Sequence, residues 1–332
     1  MNSQKLTISK PLTLLTLILI MGGCANPQSS DTTTGNKSDR ALSIKHSVRK
    51  HPTDAGKAHK QPTNQHEEIT TTDSSDVWAL IGENLAFTDT VTDAQVTKQL
   101  KRFTNNQRYF DRTFSRAELY LPYVVERVLE ENLPAEVALM PFVESAYNPF
   151  ARSHSGAEGL WQFIPSTGDH LDLERNSWYD GRRDIISSTD AAIDYLGTLN
   201  QKFDEDWLLT LTAYNAGPGT VQNAINSNAT EGKDADFWSL QLRNEASKYV
   251  PRLIALSKIV AEPEKYGIEI PPISSAPNIS IVNLEEPVDL NLAARLADVS
   301  TDTIYKLNPG YKKWVTPPEG PYHLVLPGDI GA

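Results

Sequence analysis

The sequence has very little cysteine, a single residue (Cys24) among 332. One cysteine excludes an internal disulfide and any cysteine-rich zinc or iron–sulfur site. Basic residues are in the minority, with 31 Lys and Arg against 42 Asp and Glu, so the formal net charge is −11. This acidic balance argues against phosphate-driven binding, and we expect no nucleic-acid partner. The composition, 39% hydrophobic and 22% charged, excludes collagen, pure coiled coil and polytopic membrane proteins.

Long apolar runs are also lacking, because the one at the N-terminus covers only residues 12–21. A helix of this length spans ~15 Å, about half of a hydrocarbon core of ~30 Å. Two lysines precede the run, and two glycines follow it directly before Cys24. A basic start, a short apolar stretch and small residues at the end are typical of a secretory signal. The pattern resembles a bacterial lipoprotein signal. We therefore predict a signal peptide over residues 1–23 and lipidation of Cys24, with a plain signal peptide as the alternative.

Aromatic residues are absent before Trp78, and residues 24–76 are rich in polar side chains. Such a segment cannot bury enough apolar area to offset its ordering entropy, so we predict a lipidated, flexible tether. About 50 flexible residues reach roughly 35–40 Å, which would let a domain act away from its membrane. The four histidines of the tether are irregularly spaced, and we expect no metal site. In the lipoproteins that this signal resembles, an aspartate after the cysteine tends to retain the protein at the inner membrane, so Ala25 in that position implies the outer membrane, facing the periplasm.

From residue 77 to about 265, apolar residues recur at helical spacing, and no alternating strand pattern of useful length interrupts them. Ser115 with Glu118 predicts a capped helix that runs to residue 132, with a kink or break at Pro122. The pattern predicts further helices over residues 134–148, 187–203, 207–217 and 245–261. We therefore expect a mainly α protein with one sizeable helical core.

Glu144 is the first residue with suggestive chemistry. It follows an apolar helical turn and precedes the Asn-Pro stop at residues 148–149. An acid at such a helix end can lie at the floor of a cleft, where burial raises its pKa. A carboxylic acid still protonated near neutral pH can donate a proton to a glycosidic oxygen. Ser145 is placed to hydrogen-bond and orient that carboxyl. The alternative is a glutamate at an exposed helix terminus.

Residues 156–168 combine glycines, an aromatic and an amide. A glycine such as Gly159 allows close backbone approach, Trp161 offers a stacking face, and Gln162 can bond an acetamido group. Residues 213–217 place a phenol, Tyr214, and an amide, Asn215, at a helix end, which suits sugar binding. Each window taken singly is more often core or turn than site.

A last window, residues 247–252, supplies another tyrosine, Tyr249. The windows follow one another as Glu-Ser, Gly-Leu-Trp-Gln, Ala-Tyr-Asn-Ala-Gly and Tyr-Val-Pro. In this order they resemble the lysozyme-like soluble lytic transglycosylase family. The resemblance implies a lysozyme-like helical domain over residues 77–265, with its core motifs in 116–262. It also implies a lyase that cleaves peptidoglycan between N-acetylmuramic acid and N-acetylglucosamine and leaves 1,6-anhydromuramic ends. No cofactor is implied.

The resemblance assigns the catalytic role to Glu144 alone, as general acid and then general base. The resemblance also implies these substrate-binding residues: Ser145, Gly159, Trp161, Gln162, Tyr214, Asn215 and Tyr249. Paired carboxylates are usual in glycosidases, and substrate-assisted enzymes are an exception. The acidic run at residues 204–206 is read as capping the following helix rather than as a second catalytic acid. Two alternatives stay open: a muramidase that uses water, and an inactive peptidoglycan-binding lipoprotein.

The sequence pattern over residues 278–330 predicts a separate small unit. A strand over about 279–284, helices over 290–297 and 301–307, and a strand over 322–326 give a βααβ order. This order and the Asn-Pro-Gly turn at residues 308–310 resemble a LysM module, which binds N-acetylglucosamine chains. A purely structural annex is the alternative.

Overall fold

The computed structural model describes residues 76–328, except for 89, 90, 92, 244, 277 and 322. The helices are α1 (Val77–Glu83), α2 (Ala94–Thr104), α3 (Gln107–Ala117), α4 (Leu121–Glu130), α5 (Met140–Ser145), α6 (Pro165–His170), α7 (Ile185–Lys202), α8 (Trp207–Ala216), α9 (Pro218–Thr230), α10 (Ala246–Ala261), α11 (Pro263–Tyr266), α12 (Leu290–Leu296) and α13 (Thr301–Leu307). A 3-10 helix, Ala135–Leu139, precedes α5, and the strands are β1 (Ile279–Asn283) and β2 (His323–Pro327). The mainly α prediction is confirmed.

Short polar side chains start many of these helices. The N-cap side chains that accept a hydrogen bond from a backbone amide of the first turn belong to Asp76, Asp93, Asn106, Asp184, Asp206, Asp289 and Ser300. Each such bond satisfies an amide that has no partner within its own helix. Asp206 caps α8 through the amide of Leu209, so the capping role predicted for the acidic run is confirmed.

Two predicted helix starts are wrong. Ser115 lies inside α3, whose true cap is Asn106, and the chain breaks before α4, where Pro122 occupies the first turn. Ser187 does not open α7, because Asp184 accepts its amide at 2.8 Å and starts the helix earlier. The break at Pro122 agrees with the prediction, since proline lacks the amide that a helix interior needs.

A buried aromatic cluster lies beneath the turn that carries Glu144. The ring centroids of Phe142 and Tyr147 are 4.6 Å apart, and those of Phe142 and Phe114 are 5.7 Å apart, both edge-to-face. Each such pair stabilises by about 0.5–1.5 kcal/mol beyond area burial. The Tyr147 hydroxyl also donates to the Ala138 carbonyl at 2.9 Å. The short helix α5 is therefore held on a rigid base.

The C-terminal unit has the expected βααβ order, with β1 and β2 paired antiparallel. It packs directly on the helical domain. The Asp180 amide donates to the Gly310 carbonyl at 2.9 Å, and the Lys312 amide donates to the Trp178 carbonyl at 2.7 Å. A Cβ at Gly310 would lie 2.8 Å from the Tyr179 ring, so glycine permits this close approach.

The predicted signal peptide, Cys24 and nearly all of the tether lie outside the described residues. Within the described part of the chain, no helix has the length and apolar character needed to cross a bilayer.

Candidate active site

Glu144 lies in the last turn of α5, which ends where Ala146 adopts a left-handed conformation with φ of 51°. Its side chain is half-buried and lines a cavity of about 460 Å³. Burial raises the pKa of Glu144 to about 7, while the Tyr249 hydroxyl and the Arg252 charge act in the opposite direction. This is the direction expected from its position at a cleft floor, and it leaves a large protonated fraction at neutral pH.

Two side chains of α10 face the carboxyl. Tyr249 and Arg252 are three positions apart, so they lie on the same face of the helix. The Tyr249 hydroxyl is buried and has no hydrogen-bond partner of normal geometry among the described residues. It nevertheless lies close enough to Glu144 to affect the pKa of the carboxyl. The structure thus brings Tyr249 to the site, as predicted.

Gln162 joins the first cavity to a second one of about 280 Å³, because it lines both. Its backbone is in the left-handed region, with φ of 53°. Its amide nitrogen donates to the carbonyls of Gly159 (2.9 Å) and Ala151 (3.2 Å). Both partners accept, so the orientation of the amide is settled and the Gln162 Oε1 is left to accept from a ligand.

Trp161 does not offer a stacking face, and this prediction is wrong. The side chain is 0% exposed, and its indole nitrogen donates to the Thr189 hydroxyl at 3.0 Å. A tryptophan in a glycine-rich window can either stack on a sugar or pack in the core. Here the large apolar ring of Trp161 is packed in the core. Trp161 supports the site from below.

Gly159 is also buried and does not present itself to a ligand. Its φ is +81°, and a Cβ there would lie 2.0 Å from the Arg182 carbonyl oxygen. The sequence predicts a close backbone approach at this glycine, and the structure places it against the Arg182 backbone rather than against a ligand. Arg182 holds the same loop by donating to the carbonyls of Gly156 (2.8 Å) and Phe163 (3.1 Å).

The remaining predicted residues lie along the two cavities. The Tyr214 hydroxyl donates to the Trp161 carbonyl at 2.8 Å, and its ring lines the second cavity beside the exposed Asn215. Ser145 lines the first cavity, but its hydroxyl donates to the Pro141 carbonyl at 3.1 Å. The group that approaches the Glu144 carboxyl is therefore Tyr249 rather than Ser145.

Among the residues that the structure describes, Glu144 is the only acidic one that lines either cavity. The fully buried Glu136 is nearby in sequence, but its carboxylate accepts from the amides of Ala86, Phe87 and Thr88 and is structural. Glu158 is also buried and pairs with Arg183 at 2.8 Å. The site therefore provides one carboxyl group, not a facing pair.

Sequence reasoning missed three arginines of the first cavity, Arg102, Arg152 and Arg252. Arg252 could have been found, because it lies one helical turn after Tyr249. Arg102 belongs to α2, and no local pattern links that helix to the Glu144 turn.

Two family models match the chain. The transglycosylase SLT domain matches residues 127–237, and the LysM-like domain of the lytic transglycosylase MltD matches residues 278–332. Over 252 residues the chain is 38% identical to the membrane-bound lytic murein transglycosylase D of Escherichia coli (strain K12). That alignment covers 76% of this chain and 56% of the relative, so the chain spans little more than half of the relative's length.

A protein of Alteromonas sp. (strain M-1), named for tributyltin chloride resistance, is 36% identical over 175 residues. The alignment covers 53% of this chain and 81% of that protein. Among solved structures, the 70 kDa soluble lytic transglycosylase of Escherichia coli is 22% identical, with a TM-score of 0.38. That match covers 55% of this chain and 32% of the solved chain.

Proposed function

Since the chain belongs to the transglycosylase SLT family, we propose that it is a peptidoglycan lytic transglycosylase. Its substrate is the β-1,4 bond between N-acetylmuramic acid and N-acetylglucosamine, and its product is a 1,6-anhydromuramic end. The observation that carries this proposal is the single half-buried acid, Glu144, with a pKa raised to about 7.

In this mechanism the Glu144 carboxylic acid donates its proton to the glycosidic oxygen, and the bond from that oxygen to the muramic C1 breaks. The carbonyl oxygen of the substrate's own N-acetyl group bonds to C1 and stabilises the positive charge. The Glu144 carboxylate then accepts the proton of the 6-hydroxyl, and O6 bonds to C1 as the acetamido oxygen leaves. Water takes no part, and the acid is restored.

This chemistry needs no second carboxylate, and neither cavity contains one. The Gln162 Oε1 is free to accept from an acetamido nitrogen, since both of its amide protons are held by the backbone. Tyr214 and Asn215 supply aromatic and amide surface in the second cavity. These features suit a strand of acetylated sugars laid across Gln162.

Product analysis tests the proposal. Purified sacculi are digested with the wild-type protein and with Glu144→Gln, which keeps the shape but cannot exchange a proton. We expect anhydro ends, lighter by one water than reducing ends, and a loss of rate on the order of 10²–10⁴ in the variant. Reducing ends would indicate a muramidase. No product from the wild-type protein, or full activity of the variant, would contradict the proposal.

We propose further that the protein is exported and lipidated on Cys24, which anchors it in the outer membrane facing the periplasm. The small residues before the only cysteine support this. We expect Cys24→Ser to move the protein from the membrane fraction to the soluble fraction of the envelope. A variant that stays with the membranes would contradict lipid anchoring.

A further inference from the structure

The cavity beside Glu144 has a charge opposite to that of the chain. The net charge of the chain is −11, yet the described residues that line this cavity include three arginines and a single acid, Glu144. The second cavity has no charged residue among the described ones that line it. The groove therefore has a cationic arm and a neutral arm that meet at Gln162.

The arginines of the cationic arm are available to a ligand. Among the described residues Arg102 forms no ion pair. Arg152 is 3.4 Å from Glu158, with 71% of its own side chain exposed. Arg252 is 3.5 Å from Glu245, whose side chain is 76% exposed. In each pair only one partner is exposed, and both distances are longer than the about 2.7–2.9 Å of a close charge-assisted hydrogen bond, so an arriving carboxylate can compete for these guanidinium groups.

We propose that the cationic arm binds a carboxylate carried by the muramoyl residue, in addition to the sugar. This inference rests on the proposed function and names the substrate group that its site selects. Guanidinium groups bind carboxylates through two parallel hydrogen bonds, which gives both affinity and orientation. The cavity, about 460 Å³, is large enough for a sugar with a charged substituent.

Two groups of peptidoglycan provide that chemistry. One is the stem peptide, which has free carboxylates. The other is the lactyl carboxylate that is exposed when an amidase removes the peptide. The neutral arm has no charged group to hold either one. The carboxylate-bearing muramoyl residue therefore lies in the arm of Arg102 and Arg152, which orients the strand in the groove.

Three glycan substrates test this: uncross-linked strands with intact stem peptides, amidase-treated strands with lactyl carboxylates, and strands whose peptide carboxylates are chemically amidated. We expect the wild-type protein to have a KM about tenfold higher for the amidated strands than for at least one of the others. The preferred substrate identifies the source of the carboxylate. High salt should reduce the difference, because ions screen it.

The double variant Arg102→Gln/Arg152→Gln should lose this preference and treat the three substrates alike. Its pH profile should keep its position, because burial, Tyr249 and Arg252, which set the pKa of Glu144, are all retained. The matched control is Lys98→Gln/Lys101→Gln, which removes the same charge from α2 outside the cavity and should keep the preference. Wild-type activity that is equal on all three substrates, or a double variant that keeps the preference, would overturn the inference. Lack of activity on every substrate would instead count against the proposed function.

Discussion

At the scale of single residues, the chemistry of Glu144 depends on two side chains of α10 as well as on burial. Burial favours the neutral acid, whereas the Tyr249 hydroxyl and the Arg252 guanidinium favour the carboxylate. The balance leaves the pKa at about 7, where the group can both donate and accept a proton. Replacing Tyr249 or Arg252 should shift the pKa of Glu144 without removing the acid itself.

Tyr249→Phe removes the hydroxyl that lowers the pKa of Glu144, so that pKa should rise. In the proposed mechanism Glu144, as the general acid, then stays protonated to higher pH, and the alkaline limb of the kcat/KM profile should move up by roughly one pH unit. Tyr305→Phe, in the C-terminal unit, is the control and should leave the profile in place. An alkaline limb that stays put or moves to lower pH in Tyr249→Phe would contradict the account.

Trp161→Phe separates a core role from a sugar-stacking role. The indole is fully buried and donates to Thr189, so the substitution leaves that hydroxyl without its partner. We expect the free energy of unfolding to fall by roughly 1–3 kcal/mol, with KM nearly unchanged. A stacking residue would behave in the opposite way, with a raised KM and unaltered denaturation by urea.

The sequence could predict the site residues whose chemistry is visible in a short window, such as Glu144 and Gln162. It could not separate exposed from buried members of such a window, because Trp161 is fully buried while the adjacent Gln162 lines both cavities. Nor could it predict Arg102, which reaches the cavity only through the packing of α2 against α10.

At the scale of elements, the loop that carries Gln162 is positioned by a neighbouring loop rather than by its own sequence. Arg182 is buried, pairs with Asp180 at 2.8 Å, and donates to two carbonyls of the Gln162 loop. Gly159 lets the two backbones touch. The positions of α8 and α10 were predictable from apolar spacing, but this loop contact was not, because it joins segments without periodic pattern.

Gly159→Ala should therefore lower the free energy of unfolding. The left-handed backbone alone costs an alanine roughly 1–3 kcal/mol, and the overlap with the Arg182 carbonyl adds to this. Gly197→Ala is the matched control, because Gly197 lies within α7 with open space around it. It should stabilise the protein by about 0.5–1 kcal/mol. Thermal unfolding measures both, and equal Tm values for the two variants would contradict this packing.

At the scale of the whole described molecule, the C-terminal unit supports the helical domain. The Gly310 carbonyl accepts from the Asp180 amide, and the Lys312 amide donates to the Trp178 carbonyl. Both partners lie in the segment that leads to Asp184 and α7. Asp184 is 1% exposed and lies 2.9 Å from His323 of β2. Burial opposes both charges, yet the pKa of Asp184 is lowered by His323, and the pKa of His323 is raised by Asp184.

The stability from this pair should depend on pH. The Asp184 contribution is lost as pH falls through its lowered pKa, and the His323 contribution is lost as pH rises through its raised pKa. Both are fully present between the unfolded-state values of about 4 and about 6.5. His323→Gln should therefore cost roughly 1.5–3 kcal/mol at about pH 5.5 and less at about pH 9, measured by urea unfolding. His170→Gln, on the exposed surface of α6, is the control, and a loss from His323→Gln that is the same at both pH values would argue against the pair.

The central claim is that the Glu144 carboxylic acid keeps a substantial protonated fraction at neutral pH. Its most direct test is a carboxyl-carbon NMR titration of the protein labelled with ¹³C-glutamate, with the Glu144 signal assigned by its absence in Glu144→Gln. The account predicts a midpoint of about 7 for that signal. A midpoint near the ordinary glutamate value of about 4.3 would contradict it.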